Sequence, residues 1–122
     1  MKIYLASNFE ERYRMREVRE VLQAFNHAVT SQWIDIEERF PDDAAYRLKS
    51  AKMDIEDIDS ADLLLCEVFE ISRTQHGKHF ELGYALAKGK QCWVAGDDFH
   101  IFHDLAHRKF KDIHGAIQEL IR

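Results

Sequence analysis

The strongest apolar segment of this chain reads Ala61-Asp62-Leu63-Leu64-Leu65-Cys66-Glu67-Val68-Phe69. A short, nearly uninterrupted apolar run is typical of a strand that is buried on both faces of a parallel sheet. The segment therefore predicts the central strand of an α/β domain.

Three further segments predict strands around it, because each is short, apolar and rich in β-branched or aromatic residues. They cover residues 3–7, 28–33 and 91–95. Helices are predicted over about 10–26, from 43 towards 58, over about 77–88 with Gly89 as the C-cap, and over 112–122. The first helix places one apolar stripe inward, consisting of Met15, Val18, Val21, Leu22 and Phe25.

Strands that alternate with helices predict a parallel sheet with right-handed crossovers and helices on both faces. The expected fold class is α/β, a Rossmann-like three-layer sandwich around a sheet of four to five strands. In such sheets ligands bind beyond the carboxyl ends of the strands. This rule places residues 7–11, 33–36, 69–78 and 96–102 around one crevice.

Composition fits one globular domain over residues 1–122, with 46% hydrophobic and 32% charged residues. The net charge of −5 argues against nucleic acid as a partner. A membrane is also unexpected, because no apolar run approaches the ~20 residues of a spanning helix. Cys66 and Cys92 lie in apolar segments and predict two buried, reduced thiols, which suits a cytoplasmic protein.

Several well-known catalytic motifs are missing from the chain. Its glycines form neither a GxGxxG turn nor a GxxxxGK[ST] loop, and there is no GxSxG elbow. His103 and His107 have the i,i+4 spacing of a helical metal pair, but an HExxH glutamate is absent. Exposed or hydrogen-bonded histidines are the favoured interpretation, and no metal or cofactor is expected.

Glu81 is the most informative charged residue, because it lies near the start of the helix that follows the central strand. A helix start favours an ionised carboxylate, and this alone is one explanation of the residue. The helix is otherwise apolar nearly all round, which predicts burial on both faces and an acid that points into the crevice. Gly83 is expected to let this helix approach a strand closely.

Three stretches together resemble the nucleoside 2-deoxyribosyltransferase family: residues 2–7, residues 54–62 and, most specifically, the segment from Phe80 to Lys90. The resemblance implies a flavodoxin-like fold in which Glu81 attacks the anomeric carbon of a 2′-deoxyribonucleoside and displaces the base. It also implies that Tyr4 holds this carboxylate and that Asp54 contacts the substrate. Without the resemblance, Tyr4 reads as a core tyrosine and Asp54 as an ordinary helix acid.

The chain departs from the family pattern at Gln75, where transferases carry an acid that protonates the departing base. The acid role then passes to Asp54, His76 or His79. In size the chain is closer to the related 2′-deoxynucleoside 5′-phosphate N-hydrolases, and Ser7, Arg12, Ser72, Arg73 and Thr74 are candidates to hold a phosphate. The full set of expected substrate-binding residues is Ser7, Arg12, Trp33, Ser72, Thr74, Gly77, His79 and His100.

The leading hypothesis is cleavage or exchange of the base of a 2′-deoxynucleoside or its 5′-monophosphate, through a glycosyl-enzyme intermediate on Glu81. Two alternatives are a non-catalytic nucleotide-binding module of the same fold and a glycohydrolase that acts on another N-riboside. The resemblance also implies a homodimer or higher homo-oligomer, in which the loop containing His100 reaches the neighbouring subunit's pocket.

Overall fold

A five-stranded parallel sheet forms the centre of the structure, a computed structural model that describes residues 1–37, 43–69, 76–97 and 101–122. Its strands are β1 (Lys2–Ala6), β2 (Ala28–Val29), β3 (Leu63–Val68), β4 (Gln91–Gly96) and β5 (Arg108–Phe110). They lie in the order β2-β1-β3-β4-β5, and every neighbouring pair is parallel. The apolar segment at 63–68 is thus the central strand, and the predicted α/β fold is confirmed.

Among the described residues, four α-helices cover the two faces of the sheet: α1 (Arg12–Ala24), α2 (Ala44–Asp59), α3 (His76–Ala87) and α4 (Ile113–Leu120). α1 contacts α4 and α2 contacts α3, so that each pair forms one outer layer. Local sequence sets the helix ends. The Asp43 carboxylate accepts a hydrogen bond from the Ala45 amide (2.8 Å) at the start of α2. Gly89 follows α3 with a φ of +74°, as predicted for a C-cap glycine.

The register of the central strands determines where their carboxyl ends lie relative to one another. Every residue of β3 is buried. Its Cys66 is opposite Ala6 of β1, and its Val68 is opposite Gly96 of β4. Because the strands are parallel and in this register, their carboxyl ends meet at one edge of the sheet, where the loops into α1 and α3 begin.

The second predicted strand is much shorter than expected, since β2 covers only Ala28–Val29 and Trp33 begins a short 3-10 turn, Trp33–Asp35. Side chains replace the missing backbone pairing with β1. The Ser31 hydroxyl accepts a hydrogen bond from the Leu5 amide (2.6 Å) and donates to the Leu5 carbonyl (3.2 Å). The Trp33 indole N–H donates to the same carbonyl (2.8 Å). The backbone of β1 is thus satisfied without a longer strand.

Two predictions about helix faces are wrong. In α1, Met15, Val18 and Leu22 are buried. Val21 and Phe25, the residue just after the helix, are 40% and 51% exposed, because only the narrower part of the apolar stripe reaches the sheet. α3 is not buried on both faces, since Phe80 is 66% exposed. Gly83 is exposed as well, and a Cβ there would have no neighbour within 4 Å among the described residues, so no close approach to a described strand requires this glycine.

An edge strand, β5, was not predicted as a strand from the sequence. Arg108 and Lys109 of this strand are exposed. Charged side chains on an edge strand discourage pairing with other chains. Within the described ranges, no helix is long and apolar enough to cross a membrane.

Candidate active site

A cavity of about 570 Å³ opens at the carboxyl edge of the sheet. The segment after β1, the turn after β2, the middle of α2 and the first two turns of α3 line it. Its lining residues are Ser7, Phe9, Trp33, Ala51, Lys52, Asp54, Ile55, Glu56, Gly77, Lys78, Phe80 and Glu81. The cavity therefore lies where a parallel sheet of this type binds its ligand.

The carboxylate of Glu81 accepts a hydrogen bond from the hydroxyl of Tyr4. Tyr4 is fully buried in β1, and Glu81 lies in the second turn of α3. Burial, followed by the charge of Glu81, raises the pKa of Tyr4 well above its usual value. The tyrosine thus stays a proton donor at any physiological pH, and it fixes the orientation of the carboxylate that faces the cavity.

Burial is also the main influence on Glu81 and raises its pKa to about 8. The hydrogen bond from Tyr4 lowers this pKa, and the nearby charges of Asp54 and Asp57 raise it. Because the macrodipole acts mostly within the first turn of a helix, it contributes less at Glu81 than the sequence suggests. A half-buried carboxyl with a pKa shifted this far, in a cavity, is typical of a functional group.

Asp54 lines the same cavity from α2, and one of its carboxylate oxygens, Oδ1, is buried without a hydrogen-bond partner in the described part of the chain. Burial, and then the charge of Asp57, raises the pKa of Asp54 to about 6. Buried polar atoms in proteins are nearly always hydrogen-bonded. The unpaired oxygen therefore indicates a place for a hydroxyl or N–H group of a ligand.

Trp33 forms an aromatic wall of the cavity, together with Phe9 and Phe80. The bond from its indole to Leu5 fixes the ring against the sheet. The preceding residue is fixed as well, because the buried carboxylate of Asp57 accepts hydrogen bonds from the backbone and side-chain amides of Gln32 (3.0 and 2.9 Å). Such a rigid aromatic surface suits a planar heterocycle.

A network of charges lies beside the cavity at the ends of β1 and β3. The carboxylate of Glu67, which is 5% exposed, accepts hydrogen bonds from the Ser7 hydroxyl (2.7 Å) and from the Arg14 guanidinium (2.7 Å). Arg14 also pairs with Glu11. One guanidinium thus balances two carboxylates, and the hydroxyl of Ser7 is occupied by a protein partner.

Lys78 contributes a second cation, and it is only 2% exposed. Its ammonium donates a hydrogen bond to the side-chain oxygen of Asn8 (3.1 Å) and lies 5.0 Å from the centre of the Phe69 ring. Sequence reasoning did not single out Lys78, Glu67 or Arg14 as site residues. One indication in the sequence is that Lys78 belongs to residues 69–78, a segment expected to line the crevice.

A family model described as nucleoside 2-deoxyribosyltransferase matches residues 3–116 of the chain. The chain belongs to the nucleoside 2-deoxyribosyltransferase family. It is similar to a solved 2-deoxyribosyltransferase from the psychrotolerant bacterium Bacillus psychrosaccharolyticus, with 25% identity and a TM-score of 0.79, over 100% of this chain and 91% of that chain. A comparison with curated proteins gives no match.

The fold is also that of a CMP N-glycosidase from Clostridium botulinum, with 19% identity and a TM-score of 0.67, over 98% of each chain. Family and fold together support an enzyme that transfers or cleaves glycosyl groups. The resemblance that the sequence analysis drew from residues 2–7, 54–62 and 80–90 is confirmed.

Several of the site residues expected for this member of the nucleoside 2-deoxyribosyltransferase family lie at the cavity. Ser7, Trp33, Asp54, Gly77 and Glu81 line the cavity, and Tyr4 lies behind it in contact with Glu81. Ser72, Thr74 and His100 lie outside the described residues, as do Arg73 and Gln75. The side chain of His76 is not described either.

Arg12 is not among the lining residues within the described ranges. Its guanidinium donates to the backbone carbonyls of Phe9 (3.2 Å) and Glu37 (2.7 Å). It also lies 4.4 Å from the centre of the Phe9 ring. In the described part of the chain, these contacts place Arg12 against Phe9, a wall residue of the cavity, and its expected role in substrate binding stays a prediction.

His79 points away from the main cavity and contacts His103, with 3.3 Å between Nδ1 of His79 and Nε2 of His103. Nδ1 of His107 accepts a hydrogen bond from the backbone amide of Cys92 (3.0 Å). His103 and His107 thus have separate protein partners. Among the described residues, no group of three histidine, cysteine or acidic side chains is arranged to hold a metal ion.

Proposed function

We propose that this protein cleaves the N-glycosidic bond of a 2′-deoxynucleoside or its 5′-monophosphate, with Glu81 as the nucleophile. One observation carries the proposal: a half-buried carboxylate, oriented by a tyrosine, faces a cavity that has a second acid and a rigid aromatic wall. Family membership supports the reaction class, and the cavity supports the assignment of roles.

The reaction begins with the ionised form of Glu81, because only a carboxylate can attack. Since the pKa of Glu81 is about 8, this form is the smaller fraction at neutral pH and increases as the pH rises. One of its oxygens forms a bond to C1′ while the C1′–N bond breaks, and the electron pair of that bond leaves with the base. The product is an ester between C1′ and Glu81. Tyr4 restricts the carboxylate to one orientation, and this supplies the alignment that a displacement at carbon needs.

The departing base must take up a proton, and Asp54 is the acid that we assign to this step. Its raised pKa, about 6, leaves part of the population protonated near neutral pH. In this chain Gln75 cannot donate a titratable proton. Asp54→Asn should therefore slow base release. The slowing should be largest for substrates whose base is a poor leaving group when it is not protonated.

The second step decides between hydrolysis and transfer. Attack of water on C1′ frees the sugar and returns Glu81 as a carboxylate, whereas attack of a second base forms a new nucleoside. Both outcomes use the same ester and the same pocket.

The direct test is incubation of the purified protein with paired deoxynucleosides, deoxynucleoside 5′-monophosphates and the matching ribose compounds. We expect free base from at least one deoxyribose substrate, measured by chromatography. Adding a second base reveals transfer as a new nucleoside. Thermal stabilisation by a nucleotide without any base release would instead identify a binding module, and release from ribose compounds alone would identify another N-ribosidase.

We also propose that a second copy of this chain covers the apolar surface around Phe102 and Leu105, which line a second pocket with Leu82 and Leu86 of α3. Phe102 and Leu105 are 57% and 58% exposed, and exposed apolar clusters of this kind mark interfaces. Light scattering should give the mass of a dimer or a larger oligomer, and Phe102→Glu with Leu105→Glu should give a monomer. A monomeric wild-type protein at micromolar concentration would contradict the proposal.

A further inference from the structure

Asp57 is a buried acid of α2, and it lies one helical turn after Asp54. It is not among the described residues that line the cavity. We propose that Asp57 is a positioning residue of the reaction, whose fixed negative charge holds on Asp54 the proton that the departing base takes up. The inference rests on the proposed function, and it concerns a residue that acts through another without touching the substrate.

The carboxylate of Asp57 is held in place by the segment that follows β2. Its Oδ2 accepts a hydrogen bond from the backbone amide of Gln32 (3.0 Å), and its Oδ1 accepts one from the side-chain amide of the same residue (2.9 Å). The Asp57 carbonyl also accepts hydrogen bonds from the hydroxyls of Thr30 (2.8 Å) and Ser60 (3.0 Å). Both carboxylate oxygens are therefore occupied, and the position of the charge is fixed.

No cation balances this charge within the described ranges. The side-chain partners of Asp57 are neutral amides, and none of the ion pairs between described residues includes it. The field of a buried carboxylate is weakened little by water or salt. Other groups nearby therefore experience the charge of Asp57 almost in full.

Asp54 is the acid next to Asp57 on the same side of α2, because residues i and i+3 of a helix have Cβ atoms roughly 5–6 Å apart. Two carboxyl groups this close do not both ionise freely, and the proton stays on the one whose ionised form is less well hydrogen-bonded. Asp57 accepts two N–H bonds, whereas Oδ1 of Asp54 has no partner among the described residues. In agreement, burial and then the charge of Asp57 raise the pKa of Asp54 to about 6.

Several other charged or titratable groups lie at the cavity or directly behind it. They are Glu81 and Lys78 of α3, Tyr4 of β1, and Lys52 and Glu56 of α2. Among the described residues, Asp57 is the one whose charge clearly raises the pKa of Asp54. Asp57 also raises the pKa of Glu81, but there it acts after burial and Asp54. We therefore expect that removal of the Asp57 charge changes Asp54 more than Glu81.

The experiment measures kcat/KM against pH for a substrate whose base leaves poorly unless it is protonated. The reaction needs Asp54 protonated and Glu81 ionised, so kcat/KM should rise up to about pH 6, stay level, and fall above about pH 8. Asp57→Asn keeps the shape of the side chain, and the amide of Gln32 can turn to accept a hydrogen bond from it. We expect this variant to move the lower break down by about one pH unit and to reduce the level region by about three- to tenfold.

Three variants control for effects other than the charge. Asp59→Asn makes the same change at an exposed acid of α2 and should leave the lower break within about 0.2 pH unit of wild type. Asp57→Glu keeps the charge and should restore the break, whereas Asp57→Ser, a second neutral variant, should move it as Asp57→Asn does. If Asp57 only held Gln32 in place, Asp57→Asn would raise KM without moving the break, and this result would overturn the inference.

A titration without substrate separates this inference from the proposed function. NMR of isotope-labelled aspartate carboxyl groups reports on Asp54 directly, and its signal is identified by its loss in Asp54→Asn. We expect the titration midpoint of Asp54 to be lower in Asp57→Asn by about one pH unit. An unchanged midpoint in the folded neutral variants would overturn the inference even if base is released. Failure of wild type to release base would contradict the proposed function even if the midpoint moves.

Discussion

Replacing Glu81 by glutamine is expected to lower base release by at least about 10³-fold, as is typical when a covalent nucleophile is removed. Glutamine has nearly the same shape and still accepts a hydrogen bond from Tyr4, so the pocket keeps its form. It has no negative charge with which to attack C1′. Release is measured in single-turnover assays on the best substrate, because these report on the bond-breaking step alone.

The matched control is Glu17→Gln, which makes the same change of charge on the exposed side of α1 and should keep wild-type activity within about twofold. An ester on Glu81, detected by mass spectrometry of quenched wild-type enzyme and absent from the variant, would support nucleophilic attack directly. Glu81→Gln with more than about a tenth of wild-type activity would contradict the assigned role.

The same substitution has a predictable effect on stability. Since the folded pKa of Glu81 is about 8 and its ordinary value is 4.5, the folded protein holds a proton that the unfolded chain has lost between these values. This group therefore favours the folded state less and less as the pH rises through that window. Glu81→Gln removes the effect, so its Tm should exceed that of wild type by several degrees at pH 8 and by little at pH 4.5.

Replacing Gly96 by alanine is expected to destabilise the protein by about 3 kcal/mol or more. Gly96 ends β4 with a φ of +118°, which strains any residue with a side chain, and a Cβ there would lie 2.1 Å from the carbonyl oxygen of Val68. Since the oxygen belongs to the backbone of the central strand, it cannot move without disturbing the sheet. Thermal denaturation should show a Tm lower by roughly 10 °C.

Gly83→Ala is the matched control for Gly96→Ala. Gly83 lies inside α3 and is exposed, and in the part of the chain that the structure describes an added Cβ has no neighbour within 4 Å. Alanine is the better helix former, so this variant should gain about 0.5–1 kcal/mol. Equal destabilisation by the two substitutions would show that the local backbone of Gly96 has no special role.

The sequence predicted the sheet well where one signal dominated. β3 is buried on both faces, and its uninterrupted apolar run leaves no other plausible position. The strand prediction was wrong for the segment after β2, because no single signal dominates there. Ser31 and Trp33 have strand-like neighbours in the sequence, yet their side chains take the place of the strand by binding Leu5. Sequence patterns indicate strand propensity, but they do not show that side-chain hydrogen bonds will take the place of backbone pairing.

The site was predicted only in part, because its contacts join distant segments. The chain positions of Tyr4 and Glu81 gave no sign that the two side chains meet, and the family resemblance supplied that expectation. The resemblance could not supply Lys78, since a lysine near a helix start is ordinarily exposed. Its burial depends on the packing of α3 against the ends of β1 and β3, and this is a property of the folded molecule.

The bonds from Ser31 and Trp33 to Leu5 also bear on how the protein meets its substrate. They join one wall of the cavity to the sheet before anything binds, so this wall loses little conformational entropy on association. Under the proposed function, we expect discrimination between bases at this wall to depend on shape and stacking, with little contribution from the ordering of a mobile segment. A base of the wrong shape is excluded by a surface that does not yield.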